Sequence, residues 1–258
     1  MQISIFDIWS DFAHFRRGYT TTSSLTYPFP PKTAIVGLIA GILGIHNEKR
    51  EEKNYYQIFT PENVKIGIRL LNPVKTIMIK ENLINTKESE NPLYFKLGLI
   101  NPEKGRTQIP IEFLKEPRYR IYVWFKNEKY AEIFEKFLKA HKSVYTPYLG
   151  ITECVANFEF IGKYEVKKLE ANENNEYEID SVVPKNAGKV KVVENLTFGS
   201  IRMPVFINEN REPLLFEDFI YIEEGNPMEN QRRIILTSIE NQQKYIFGSV
   251  CEENVILF

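Results

Sequence analysis

Up to residue 161 the chain passes through strand and helix periods in the order βαββαβ, and that order constrains its fold more than any other feature. Residues 2–9 are mostly apolar on both faces, as a central strand covered on two sides requires. The segment PKTAIVGLIAGILG places Pro31 at the start and Gly44 at the end of a helix, the usual punctuation. Val64, Ile66, Ile68 and Leu70 alternate with Lys65, Gly67 and Arg69, the period of a half-buried strand, and residues 74–80 continue it or begin a hairpin arm. In the next strand Tyr119, Ile121, Val123 and Phe125 form an apolar face, and Arg118, Arg120, Tyr122 and Trp124 form a mixed one. Tyr130, Phe134, Phe137, Leu138 and His141 make the stripe of an amphipathic helix running from Asn127 to His141, with Asn127 as its cap. Residues 151–161, with Cys154, Val155, Ala156, Phe158 and Phe160, complete the series as a strand. This split-βαβ, ferredoxin-like order is shared by RNA-recognition domains and by many proteins that never touch RNA.

Two stretches fall outside the alternation. Residues 10–31 lack apolar periodicity and are crowded with Arg, Thr, Ser, Tyr and Pro; residues 81–108 are polar and broken by Pro and Gly. Both exceed an ordinary connection, and the second reads as a protruding insertion. Beyond residue 162 the sequence holds only short apolar or alternating runs, such as YEVKKL, YEIDSVV, RIILTS and KYIFGSV. The expected class is therefore α+β: a ferredoxin-like, RRM-like βαββαβ domain over 1–161 and a β-rich region over 162–258. Gly37, Gly41 and Gly44 share one face of the first helix and lower its intrinsic stability, so close approach of a sheet or a ligand is expected there.

Charge and cysteine content narrow the function classes. Lys and Arg number 33 against 34 Asp and Glu, a net charge of −1 that removes the broad basic footprint of a free-standing nucleic-acid binder. Any grip on nucleic acid must be local. Cys154 and Cys251 are too few and too far apart for a disulfide framework or a zinc site, and both are expected in the core of an intracellular protein. The acidic run Glu48, Glu51 and Glu52 is interspersed with Lys49, Arg50 and Lys53 and reads as a solvated surface, so no metal site and no cofactor are expected. The opening MQISIFDIWSDF has an acid and no basic leader, so it reads as a strand, and a cytoplasmic location follows. The longest apolar run, Ala34 to Ile45, is well short of the roughly 20 residues of a membrane helix.

The richest chemistry lies in HFRRGYTTTSSLTYPFPPKTAIVGLIAGILG, residues 14–44. Arg16 and Arg17 offer guanidinium forks, Tyr19 and Tyr27 offer stacking faces, and a helix start at Lys32 and Thr33 offers an anion site. Composition alone is also compatible with a solvated basic turn leading into a core helix. The stretch closely resembles the N-terminal signature of CRISPR-associated protein family five, within the repeat-associated mysterious protein superfamily. The elements that carry the resemblance are Phe15, Arg16 and Arg17; the turn Tyr27, Pro28, Phe29, Pro30, Pro31, Lys32, Thr33; and the glycine-spaced helix. A second match is YTPYLGITECVANF, which is similar to the family's aromatic-Leu-Gly turn and the strand that follows.

The resemblance implies a ferredoxin-like core with a thumb at about 81–108. It also implies the role of a non-catalytic subunit that caps the five-prime handle of the crRNA in a type I CRISPR interference (Cascade) complex for antiviral defence, with greatest similarity to the I-B-like branch. Its partners would be the crRNA handle, the backbone and large subunits, and target DNA through the complex. The expected RNA contacts are Arg16, Arg17, Tyr19, Tyr27, Lys32 and Thr33, joined by His14 and Tyr148.

One branch of the family is a metal-independent endoribonuclease that processes CRISPR repeat RNA, and this is the alternative reading. Such chemistry needs a general base and acid, and the chain has only His14, His46 and His141. His141 reads as a core or helix-end residue and His46 as a cation beside a helix end; His14, next to the arginines, is the one catalytic candidate. A ferredoxin-like enzyme for a small anionic substrate is a third reading. Arg118 and Arg120 either contact RNA or lie under the C-terminal region.

Overall fold

A computed structural model describes residues 1–18, 20, 24–46, 55–84, 106–170, 176–193, 196–224 and 233–258. The architecture is α+β and rich in sheet. Four strands form the central antiparallel sheet: β1 (Gln2–Trp9), β3 (Val64–Leu70), β6 (Arg118–Phe125) and β7 (Asn157–Glu165), in the order β3-β6-β1-β7. Helix α1 (Lys32–Leu43) follows β1 and helix α3 (Glu128–Lys139) follows β6, while the short α2 (Tyr55–Ile58) precedes β3. The helix ends agree with the sequence signals. Asn127 accepts from the Lys129 N–H at 3.0 Å, and Gly44 closes α1 in the left-handed region at φ 70°.

Sheet burial on both sides explains the two-faced strands. Phe6, Ile8, Tyr119, Ile121 and Val123 join the large core with α1 and α3, whereas Ile3, Ile5 and Tyr122 point the other way and pack with Val250, Val255 and Leu257. The cover on that second side is C-terminal: β14 (Ile246–Val250) and β15 (Glu253–Leu257) pair with each other, and β14 also pairs with β8 (Lys167–Lys168). Phe258 and Ile66 exchange both main-chain hydrogen bonds, at 3.0 and 3.1 Å, which ties the end of the chain to the edge of β3.

The remaining C-terminal strands are β9 (Tyr177–Ile179) with β13 (Ile234–Leu236), and β10 (Val183–Pro184) with a long hairpin of β11 (Thr197–Ile207) and β12 (Pro213–Glu224). This hairpin lies over α1 and seals its beginning. Phe29, fully buried, meets Phe219 edge-on with centroids 6.1 Å apart and Tyr221 at 5.5 Å. Burying a side chain of that size contributes about 1.5–3 kcal/mol.

Several sequence boundaries shift. Residues 76–84 (β4, Thr76–Ile84) and 106–115 (β5, Arg106–Lys115) pair antiparallel, with the short β2 (Phe12–Ala13) on the other side of β5, so the insertion rises from a two-stranded stalk that begins before residue 81; residues 85–105 lie outside the described residues. The strand expected from residue 151 starts at Asn157, because Leu149 N–H donates to the Cys154 carbonyl and Ala156 N–H to the Pro147 carbonyl, both at 2.9 Å, making 147–156 a turn. Position 161, the expected domain boundary, falls inside β7. Cys154 is buried as expected, whereas Cys251 is exposed at a turn between β14 and β15, where its φ of 49° follows from the tight reversal.

Candidate functional site

The loop before α1 is a folded hairpin. Tyr27 N–H donates to the Phe15 carbonyl at 2.8 Å, Arg17 N–H to the Leu25 carbonyl at 2.9 Å, and Arg16 pairs with Thr26. Side chains fix it further: Thr26 Oγ1 accepts the Phe15 N–H at 2.9 Å, and the Thr26 N–H donates to Glu112 Oε2 at 2.9 Å. Ser24 N–H donates to the Pro110 carbonyl at 3.3 Å and Ser24 C=O accepts from Glu112 at 2.9 Å, so the loop is stitched to β5, one leg of the stalk. Its length therefore serves a structural purpose: it joins the central sheet to the insertion.

The second motif lands beside the first. His14 N–H donates to the Leu149 carbonyl at 3.1 Å, and Gly150, at φ 92°, lies so close that a Cβ there would stand 1.9 Å from the His14 carbonyl oxygen. Only glycine fits both the conformation and the space. At the other end of the turn, Val144 N–H donates to the Ile42 carbonyl at 3.2 Å and Tyr145 N–H to the Gly41 carbonyl at 3.1 Å, satisfying carbonyls in the last turn of α1.

Between α1 and this turn opens a cleft of about 410 Å³. Gly37 and Gly41 form part of its wall, together with Leu38, Ile45, Phe15 and Leu149. The expectation that these glycines admit a neighbouring sheet is not met: a Cβ on Gly41 would meet no atom within 4 Å, and one on Gly37 only the Tyr55 hydroxyl at 4.0 Å. Gly44 serves instead as the helix cap. The rim carries His46, Tyr145 and Tyr148, all exposed. The Tyr145 hydroxyl lies 3.3 and 3.2 Å from the two ring nitrogens of His46, and the rings stand edge-to-face at 5.7 Å.

The sequence-predicted site residues divide into two groups. Arg16 is exposed, with Nη2 donating to the Thr20 carbonyl at 3.3 Å; Arg17 is half-buried, with Nε donating to the Thr26 carbonyl at 2.7 Å; Tyr148 stands on the cleft rim. The others turn inward. Lys32 is buried and donates from Nζ to the Phe258 main-chain oxygen at 2.7 Å, and burial, with help from Lys65, pulls its pKa down to about 7. Tyr27 is a core residue, and Thr33 is half-buried in a small pocket that Tyr56, Phe59 and Val205 also line. The helix start thus lies against β11, and the amine expected to meet an anion there is held by the Phe258 main-chain oxygen instead. Tyr19 and the acidic run Glu48, Glu51 and Glu52 lie outside the described residues.

His14 is also buried, packed on Phe113, with Nδ1 donating to the Glu112 carbonyl at 2.7 Å and Nε2 at 2.9 Å from Ser24 Oγ. His141 is a helix-end residue whose ring stacks on Phe158 at 4.7 Å. Arg120 lies under the C-terminal cover. It grips Asp7 through Nε at 2.8 Å and Nη2 at 3.2 Å, and reaches Glu253 at 2.7 Å; these partners hold it charged far into the alkaline range. Arg118 bonds Asp7 at 3.5 Å and rests on the Trp9 ring. Among the described residues no group of three His, Cys, Asp or Glu side chains is placed to hold a metal ion, and no helix is long and apolar enough to cross a membrane.

Residues 5–233 match the family described as CRISPR-associated protein (Cas_Cas5). The chain belongs to the Cas5 family. Its fold is similar to that of a CRISPR protein from Archaeoglobus fulgidus, at 14% identity and a TM-score of 0.58 over 99% of each chain. A chain of a CRISPR RNA-guided surveillance complex is similar at 12% identity and a TM-score of 0.53, over 89% of this chain and 95% of that one. No curated protein matches the sequence. In this Cas5 member, His46 and Tyr145 are not among the RNA contacts expected from the sequence. Tyr145 stands inside the quoted YTPYLG motif, but only the folded turn brings it to the residue after α1.

Proposed function

We propose that this chain is a non-catalytic subunit of a type I CRISPR interference complex of the I-B-like branch, capping the five-prime handle of the crRNA. The observation that carries this reading is the meeting of both family motifs, the arginine hairpin at 14–27 and the turn at 145–150, around one open cleft in a member of the Cas5 family. The likeness to a chain of an RNA-guided surveillance complex supports membership of such an assembly, with the backbone and large subunits and, through them, target DNA as further partners. The β3-β6-β1-β7 order supports a ferredoxin-like core, and the β4–β5 stalk supports a thumb. Arg16 and Arg17 neutralise phosphates and Tyr148 stacks on a base, with Tyr19 as an added contact expected from sequence alone. Lys32, Thr33, Tyr27 and His14 serve instead to hold the hairpin and helix in place. The engagement of both His14 ring nitrogens supports the non-catalytic reading, since a general acid or base needs one of them for substrate.

The test is binding of a repeat-derived handle RNA across a salt series. Arg16→Ala with Arg17→Ala is expected to flatten the salt slope by about one to two phosphate contacts while the fold is kept. An unchanged affinity and slope would move the grip away from the hairpin. Incubation of the wild type with labelled repeat RNA in EDTA is expected to leave the RNA whole; site-specific cleavage would favour the endoribonuclease.

A further inference from the structure

We infer that the cleft between α1 and the 145–150 turn receives one unstacked nucleobase of single-stranded RNA, with His46 and Tyr145 reading its edge. This rests on the RNA-binding reading and names the part of the ligand that the cleft takes.

The wall favours a flat ligand. With no side chain at Gly37 or Gly41, the main chain of α1 is bare along one stretch, and the space a Cβ would enter is open. The volume of about 410 Å³ lies within the range of small-ligand sites and exceeds what packing leaves inside a core. The walls beyond the glycines are hydrocarbon, from Leu38, Ile45 and Leu149, as a π-face requires.

The rim separates a base from an apolar side chain of a protein partner. Tyr145 and Tyr148 are 47% and 43% exposed, large aromatic rings left at the mouth and not drawn into the core. The Tyr145 hydroxyl satisfies one His46 ring nitrogen at a time, so the pair keeps further donor and acceptor positions. An aliphatic side chain entering the cleft would bury those positions unpaired, a cost that a base edge avoids by hydrogen bonding. Phe15 also lines the cleft, which brings the arginine hairpin up to its wall.

The experiment uses the purified full chain and 3′-labelled RNA octamers of A, C and U, followed by fluorescence anisotropy at one fixed salt concentration. The tightest of the three is then made in versions carrying a single abasic ribose at each position. The expected result is one or two positions at which base removal weakens binding about tenfold, the scale of one lost stack. Gly41→Leu, which fills the wall, is expected to weaken the parent octamer by the same factor and to bind that abasic probe as the wild type does. His46→Phe, which keeps a ring but removes both nitrogens, is expected to narrow the differences among the A, C and U octamers. Thermal melts of both variants verify the fold. Equal wild-type affinity for every abasic probe, or a Gly41→Leu loss of the same size on every probe, would overturn the assignment while leaving RNA binding intact. Unchanged RNA binding by Gly41→Leu would give the cleft to a protein side chain. A wild type that binds none of the octamers or the handle would sink the RNA-binding reading itself.

Discussion

Lys32 stands at the start of α1 with 3% of its surface exposed, in a setting where a charged ammonium is costly. Its ordinary pKa of 10.5 falls to about 7, first through desolvation and then through Lys65. Between those values the unfolded chain binds a proton that the folded chain lacks, so this residue's contribution to stability rises with pH from about 7 to 10.5. Below that window both states are protonated and the full cost of burying the charge remains. Urea unfolding of wild type and Lys32→Met at pH 6, 8 and 9.5 is expected to move in favour of the wild type as pH rises, approaching about 1.4 kcal/mol per pH unit. A difference independent of pH would mean that the ammonium stays charged in the fold. Gly150 makes the opposite kind of demand, on backbone and not on charge. Gly150→Ala is expected to destabilise by about 2 kcal/mol or more, because its Cβ would enter the His14 carbonyl at a φ of 92°. A melting temperature equal to the wild type would show that the turn moves aside at little cost.

Helix α1 is apolar on almost every side, which suits an element enclosed by the sheet, by α3 and by the β11–β12 hairpin. Gly37 and Gly41 leave the one stretch of it that faces the cleft. Since a Cβ on Gly41 meets open space, Gly41→Ala is expected to raise stability by about 0.5–1 kcal/mol through helix propensity alone, read as a higher urea midpoint. A lower midpoint would reveal packing at that position. The caps and periods of α1 and α3 were legible because they depend on neighbours in sequence: Pro31, Gly44 and Asn127 act within one turn of where they stand. The β11–β12 hairpin was harder to read. Pro204 lies within β11 beside a break in register, so its alternation is interrupted, and a proline inside a run argues against a strand.

At the scale of the molecule, the second face of the central sheet is held by charge as well as by apolar packing. Arg118, Arg120, Arg69 and Arg233 alternate with Asp7, Glu253, Asp180 and Glu178, linking β1, β3 and β6 to the C-terminal strands. Glu253 is the hub: it accepts from Arg69, from Arg120 and from the Tyr122 hydroxyl, whose own ionisation is suppressed by burial and by this carboxylate. Glu253→Ala would leave the buried Tyr122 hydroxyl without its acceptor and reduce Arg69 and Arg120 to their contacts with Asp180 and Asp7, and a loss of about 1–3 kcal/mol is expected in chemical unfolding. A loss below 1 kcal/mol would indicate that solvent replaces the carboxylate. The sequence by itself determined the α+β class, the alternation that builds the central sheet, both helix ends, and the two motifs that meet at the cleft. Each of these is written in residues a few positions apart. Only the tertiary structure decided that Lys32 and Tyr27 turn inward, that Arg120 is covered, and that His46 and Tyr145 share a rim. The physical reason is that burial is set by distant partners: Phe258 receives the Lys32 amine, Glu253 receives Arg120, and the turn at 145–150 reaches back to α1.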